Sequence, residues 1–359
     1  MLRSDVVIQS STGPVVTIVA SFSPPGGERG EAMSGATQIP SVAITSLSIR
    51  DFRGIGALDL DFCGPDGKPN GLVVLAGPNG CGKTAVIEAA VLLVGGGEIV
   101  VGCQDERAIR RGASDYNIEV SAKSHGIAFH NRHQASRPLL PLPEPIPHWY
   151  FSSWRAPQLP GPVDVTVGRP GRRPARTDEN RLLNVKQRLV NAAAVEMFQK
   201  SLPSLGRYSA LIQVINEAWS DFYPDAGHAF TVDVVAPADG DSSGSFEVYL
   251  KTRDGHQLEV DLLSAGQLEL FLFLGELALN DDREGIIFID EPELHLDPQW
   301  HRLILRSLKR LQPRAQLIVA THSPEIYDAA ASYERHYLVP EDDPRSWLWA
   351  KQGTVESGV

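Results

Sequence analysis

Residues 71–93 read GLVVLAGPNGCGKTAVIEAAVLL, and their reading decides the fold. A run of apolar residues with no polar interruption is what a strand buried on both faces requires. It is followed by a glycine-rich turn and then by a helix-forming stretch, KTAVIEAAVLLVGG. The turn, from Gly77 to Thr84, has the spacing Gly-x4-Gly-Lys-Thr, and it lies after a strand and before a helix, where that pattern binds phosphate. Gly80 and Gly82, with Asn79 between the loop's glycines, let backbone N–H groups wrap a polyphosphate, and the helix N-terminus adds positive potential. Lys83 is expected to reach the β- and γ-phosphates, and the Thr84 hydroxyl to ligate Mg²⁺.

Three downstream stretches extend this reading. GIIFIDEPELHLDP, 285–298, is a second buried strand that delivers Asp290 to its carboxyl end, where ligands sit in open α/β sheets. Asp290 is expected to hold Mg²⁺, largely through water, and Glu291 to act as general base or to position the attacking water. QLIVATHSPEI, 316–326, is a further buried strand, and His322 at its end could sense a γ-phosphate. DLLSAGQLELF, 261–271, has two readings. Ser264 can be an ordinary helix N-cap before an apolar run. Equally, Ser264, Gly266 and Gln267 can be half of a site completed by the nucleotide of a second copy.

The chain of 359 residues carries a net charge of −11 and is 42 % hydrophobic. That suffices for one large domain or two modest ones, and it argues against a generally basic nucleic-acid binder. Cys63, Cys81 and Cys103 are odd in number and lack CxxC spacing, so neither a zinc site nor a disulfide framework is indicated. No apolar run approaches the roughly 20 residues needed to cross a bilayer. Residues 1–40 lack a secretory-length apolar core and are expected to be a disordered leader, which points to a cytoplasmic protein with no membrane partner.

Alternating apolar residues from Val42 predict paired strands in VAITSLSIRDFRG and ALDLDF, and again in YNIEVSAKS and GIAFHNRH. A proline-dense stretch, 138–147, reads as a loop. Helices are expected over 179–200, 205–222, 266–280 and 298–311. Asp254-Gly255 marks a hairpin turn, and a short tail follows the strand at 316–320. Strands alternating with helices around the glycine-rich loop imply an α/β fold with a mainly parallel sheet.

The four motifs, in their order along the chain, resemble the ATP-binding-cassette (ABC) ATPases, with the Ser264 turn just upstream of the Asp-Glu strand. SLSIRDFRGIGALDLDF, upstream of the phosphate loop, and DEPELHLDPQW are most similar to the branch that holds SMC proteins, RecF and OLD-type nucleases. The resemblance implies an ABC head with a mixed central sheet, an antiparallel β subdomain and a helical insertion. It divides the chain into 41–137 (phosphate-loop part), 138–260 (insertion), 261–340 (signature, Asp-Glu strand and His322) and a tail at 341–359. ATP and Mg²⁺ are the implied cofactors, and Arg53 is implied to contact nucleotide. Asp297 stands where this branch commonly has histidine. The Ser264 turn matches the family's signature motif, which implies head-to-head homodimers with ATP between them and ATP hydrolysis. The glutamine-bearing loop of the family has three candidates here, Gln104, Gln158 and Arg155.

Neither a coiled-coil arm nor an appended nuclease domain is visible, so a separate effector, a nuclease or toxin, is expected. Compact ATPases of this type resemble those of anti-phage defence operons. The alternatives are a RecF-like DNA-repair ATPase and a nucleotide-binding scaffold with negligible turnover. DNA is a candidate partner because Arg155, Arg169, Arg172, Arg173, Arg176, Arg181, Lys186 and Arg188 concentrate positive charge. That segment lacks interleaved aromatics, and an acidic protein surface would suit it equally. His125, His130 and His133 are expected as exposed hairpin histidines and not as metal ligands.

Overall fold

A computed structural model describes residues 40–100, 105–139, 142, 146–153, 161–163, 181–198, 207–235, 245–279 and 284–339. The expectations for the leader (1–39), for Gln104, Gln158, Arg155 and Arg169–Arg176, and for the tail from 340 lie outside the described residues. By internal contact the chain forms two compact units. One comprises Met1–Trp149, Glu284–Asp290 and Arg314–Val359; the other comprises Tyr150–Arg283 and Glu291–Pro313. The Ser264 turn, expected with the C-terminal part of the head, thus groups with the helices of the insertion.

The first unit contains two sheets. Strands β1 (Val42–Phe52) and β2 (Ile55–Asp61) form an antiparallel hairpin, as the alternating residues predict. With β4 (Asn117–Ser124) and β5 (Ile127–His133) they give the order β2-β1-β4-β5. The second sheet has the order β12-β3-β11-β10-β6, built from β3 (Leu72–Ala76), β6 (His148–Phe151), β10 (Ile286–Asp290), β11 (Gln316–Thr321) and β12 (Arg335–Tyr337). Strands β3, β10, β11 and β12 are parallel, and every residue of β3, β10 and β11 is buried, which accounts for their unbroken apolar runs. After the strand at 316–320, where only a short tail is expected, the chain adds the parallel edge strand β12, too short to show periodicity.

Helix α1 (Lys83–Leu93) is apolar on nearly all sides because it is buried against β10, β11 and β4. The two sheets are joined by Gln316, a fully buried amide at the start of β11. It accepts from Ile44 N–H at 2.7 Å and donates to the carbonyls of Ile44 and Asn70 at 2.9 and 3.0 Å. A polar side chain at the centre of the unit is tolerated because both ends of its amide are used.

His133 differs from expectation. His125 and His130 are exposed, but His133 is buried with its ring 5.5 Å from Tyr116. Among the described residues no cluster of His, Cys, Asp or Glu could hold a metal ion by itself. No described helix is long and apolar enough to cross a membrane.

His336 on β12 is buried edge-on against Phe62, centroids 5.5 Å apart. Burial holds its imidazole down to about 4, against a small opposing pull from Asp61. In the unfolded chain it titrates near 6.5, so unfolding takes up a proton between these values. The stability that the neutral ring confers is complete above pH 6.5 and is lost as pH falls toward 4, by about 3 kcal/mol. Chemical denaturation from pH 7 to pH 4 should show this decline, and His336→Phe should flatten it.

The second unit holds α2 (Arg181–Phe198), α3 (Arg207–Ser220), α4 (Ala265–Ala278) and α5 (His301–Leu311), with an antiparallel sheet of β7 (Ala229–Val235), β8 (Ser245–Lys251) and β9 (Gln257–Glu259). Its core is aromatic: Phe230 meets Phe271 at 4.6 Å and Trp219 at 4.8 Å. The expected hairpin turn is present, with Gly255 at φ +86°, a conformation that costs glycine little.

Candidate nucleotide site

Strand register brings the first-unit motifs to one sheet edge. Ala76 of β3 lies opposite Thr321 of β11, and Ala320 lies opposite Asp290 of β10. The phosphate loop starting at Gly77, the carboxylate of Asp290 and the backbone of His322 therefore all leave the sheet at its carboxyl ends. This follows from parallel pairing alone, since parallel strands end together.

Within the loop, Gly80 and Gly82 have φ +84° and +96°, which a side chain would strain. Asn79 and Gly80 are exposed at the tip. Gly82 caps α1 without a side-chain acceptor, and no acidic residue occupies the first turn. The helix's own first turn thus supplies no side-chain acceptor or acid to its first N–H groups. Lys83 is buried, and its ammonium donates to the carbonyls of Gly77 at 2.8 Å and Pro78 at 3.1 Å.

Thr84 Oγ1 donates to Asp290 Oδ2 at 2.8 Å, across 206 residues of sequence. Two adjacent oxygens on an octahedral Mg²⁺ with ligands at about 2.1 Å lie about 3.0 Å apart. The hydroxyl and carboxylate are hard oxygen donors at that spacing, so they fit Mg²⁺ held by the protein on one side and by phosphate and water on the other. Glu291, the next residue in the chain, is half-buried and sits at φ +53°. A glutamate rarely adopts that conformation, and strain of this kind concentrates at functional positions. His322 is exposed directly after β11.

Arg53, at φ +52° in the β1–β2 turn, forms an ion pair with Glu88 on α1. Sequence reading missed Glu88. Burial pushes its carboxyl up, Arg53 holds it down, and the nearby charge of Asp290 adds to the upward push. Its signal was an acid inside an otherwise apolar helix, one turn after Thr84.

In the second unit both readings of the Ser264 turn describe the same atoms. Ser264 caps α4, accepting from Gln267 N–H at 3.4 Å, while Gln267 Oε1 accepts from Ser264 N–H at 3.2 Å and Ser264 Oγ at 3.1 Å. Ser264 is exposed and Gly266 half-buried. A Cβ on Gly266 would come within 2.5 Å of the carbonyl oxygen of His295, so only glycine lets the turn rest on the segment after Glu291.

The cations at the start of the insertion are a correction. Arg181 is 2 % exposed and paired with Glu269 at 3.1 Å and Glu276 at 2.8 Å, both on α4. Lys186 is fully buried between Glu247 at 2.6 Å and Asp261 at 2.9 Å. Arg188 donates to the carbonyl of Leu279 at 2.7 Å. Arg181 and Lys186 are thus interior counter-ions, not a surface for DNA.

A family model described as "AAA domain, putative AbiEii toxin, Type IV TA system" matches residues 72–328, more than half of the chain. The Septu protein PtuA of Bacillus mycoides (strain KBAB4) is 24 % identical over 86 % of this chain and 42 % of its own length. The PtuA of Bacillus thuringiensis is 33 % identical over 28 % of each chain. The Retron Vc95 probable ATPase of Vibrio cholerae serotype O1 biovar El Tor is 32 % identical over 26 % of this chain and 20 % of its own. The chain thus spans less than half the length of these curated relatives. Among solved structures, the SMC head bound to the C-winged helix domain of ScpA has the same fold, with a TM-score of 0.50 at 14 % identity, covering 85 % of this chain and 99 % of that one. Phosphate loop, serine-capped turn and Asp-Glu strand end follow one another along this chain, and the chain belongs to this AAA-domain family.

Proposed function

We propose that the chain binds ATP with Mg²⁺, closes head-to-head with a second copy on the nucleotide, hydrolyses it, and uses this cycle to control a separate effector nuclease or toxin in anti-phage defence. The observation that carries the nucleotide reading is the 2.8 Å approach of Thr84 Oγ1 to Asp290 Oδ2 at an α1 N-terminus whose own first turn carries no acidic residue. In this reading Lys83 exchanges two loop carbonyls for phosphate oxygens, Thr84 and Asp290 hold the metal, Arg53 contacts nucleotide, and His322 senses the γ-phosphate. The metal supplies charge neutralisation at the β- and γ-phosphates. Glu291 positions the attacking water and takes its proton.

Ser264, Gly266, Gln267 and the first N–H groups of α4 then form an anion site for the partner copy's γ-phosphate. The likeness to Septu and retron proteins supports the defence setting. Burial of Arg181 and Lys186 removes two of the cations that favoured direct DNA binding.

Light scattering tests the sandwich. With ATP and Mg²⁺ a hydrolysis-impaired Glu291→Gln chain should double its mass, and adding Ser264→Arg should return it to monomer. An arginine there places a bulky cation where a γ-phosphate must meet helix N–H groups. A doubled mass in the Ser264→Arg chain would refute the role of this turn across the dimer.

A further inference from the structure

Tyr223, just beyond the end of α3, has no place in the sequence-level reading of the site. Its ring stacks on Trp219 at 4.8 Å and meets Trp300 edge-on at 5.0 Å. Trp300 also meets Phe222 at 5.8 Å, and it closes the short 3-10 turn Pro298–Trp300 that Asp297 caps. The segment following Glu291 is thus fastened to the end of α3 by its tryptophan. The hydroxyl of Tyr223 is also hydrogen-bonded to the side-chain amide of Gln267.

The geometry of that amide assigns its ends. Gln267 Oε1 is occupied by Ser264 N–H and Oγ–H, so the NH₂ end is the one that donates to Tyr223. One aromatic residue therefore reaches both the serine-capped turn and the segment after Glu291. The two are also in direct apposition, with Gly266 against the His295 carbonyl. Without Tyr223 the Gln267 amide could rotate, and the capping oxygen that orients the Ser264 hydroxyl would turn away.

We infer that Tyr223 is a positioning residue that orients the Ser264–Gln267 turn and locks it to the Glu291–Trp300 segment, so that the group acting on the partner's nucleotide and the same chain's hydrolytic carboxylate move as one body. This inference rests on the reading of Ser264 as the group that meets a γ-phosphate across the dimer. It deepens that reading by naming what holds the turn. The stacking on Trp219 and Trp300 belongs to the ring, and only the hydroxyl reaches Gln267, so the two roles separate in Tyr223→Phe.

Four full-length chains test the inference: wild type, Tyr223→Phe, Gln267→Met and the double variant, each assayed for steady-state ATP hydrolysis and for affinity toward a fluorescent ATP analogue. Loss of one orienting hydrogen bond should lower kcat about three- to tenfold. The analogue's affinity for the monomer should not change, because the phosphate loop is untouched. In the Gln267→Met background Tyr223→Phe should have no further effect, since the partner of the hydroxyl is gone. A kcat equal to wild type, or the same fall in both backgrounds, overturns the inference, the latter because a merely structural role would not depend on Gln267. A Ser264→Arg chain in the same assay separates the two levels. If it hydrolyses normally, the reading of the turn itself fails; if it is inactive while Tyr223→Phe is unaffected, only the role of Tyr223 fails.

Discussion

Glu291→Gln is expected to lower ATP turnover by about 10²- to 10⁴-fold, the range a positioned general base contributes, while leaving nucleotide binding intact. The substitution keeps shape and volume and removes the charge that accepts a proton from water. The residues proposed to hold nucleotide and metal, Lys83, Thr84 and Asp290, are untouched, and the hydrogen bond between Thr84 and Asp290 remains. The amide should also tolerate the φ of +53° no worse than the carboxylate does, so the backbone that presents the side chain stays in place. Because ATP is then bound and scarcely consumed, the dimer should accumulate. A phosphate-release assay and light scattering on one sample check both halves. Wild-type turnover in this variant would reassign the hydrolytic role, and slow turnover without dimer would argue that closure is not driven by ATP.

Lys186→Met is expected to destabilise the second unit by about 3–5 kcal/mol, because it leaves buried carboxylates uncompensated. Lys186 and Glu247 are fully buried, and Asp261 is 9 % exposed. The ammonium also donates to the carbonyl of Gly161 at 2.6 Å, and Asp261 in turn accepts from Gly161 N–H at 2.6 Å. Methionine matches the stem of lysine, so little packing is lost and the effect is electrostatic. Burial already pushes the Glu247 carboxyl up, and Lys186 is the charge that opposes it. Without the lysine the carboxyl moves further up. A carboxyl with a raised folded value is penalised above that value and relieved as pH falls through it. The variant's deficit in urea denaturation should therefore shrink on acidification. A deficit independent of pH would assign the loss to packing instead.

The same cluster bears on function. Asp261 lies three residues before Ser264, and Arg181 holds Glu269 and Glu276 on the helix that Ser264 caps. Helix α2 therefore grips the element carrying the turn at two points, and charge removal at either should be felt at Ser264.

How much of this was legible beforehand varies with the range of the interaction concerned. The phosphate loop, the Asp290 strand and the capped turn at Ser264 were readable because each is a local device: a few consecutive residues carry the glycines, apolar run or capping serine that fix the backbone. The hairpin of β1 and β2 and the turn at Gly255 were readable for the same reason. Glu88, Tyr223 and Gln316 carried no such mark, since each works through partners in distant segments. The arginine-rich start of the insertion shows the limit most directly. Read along the chain, Arg181 and Lys186 are unbalanced charge suited to a polyanion. Folded, their counter-charges arrive from Glu247, Asp261, Glu269 and Glu276, about 60 to 95 residues away, and the cations turn inward. By itself the sequence determined the local backbone devices, the glycine-rich turn, the buried strands and the capped helix start, because each is written in a few consecutive residues. Only the tertiary structure decided which charges face solvent and which side chains hold the motifs in place, because burial and pairing depend on residues that become neighbours only on folding.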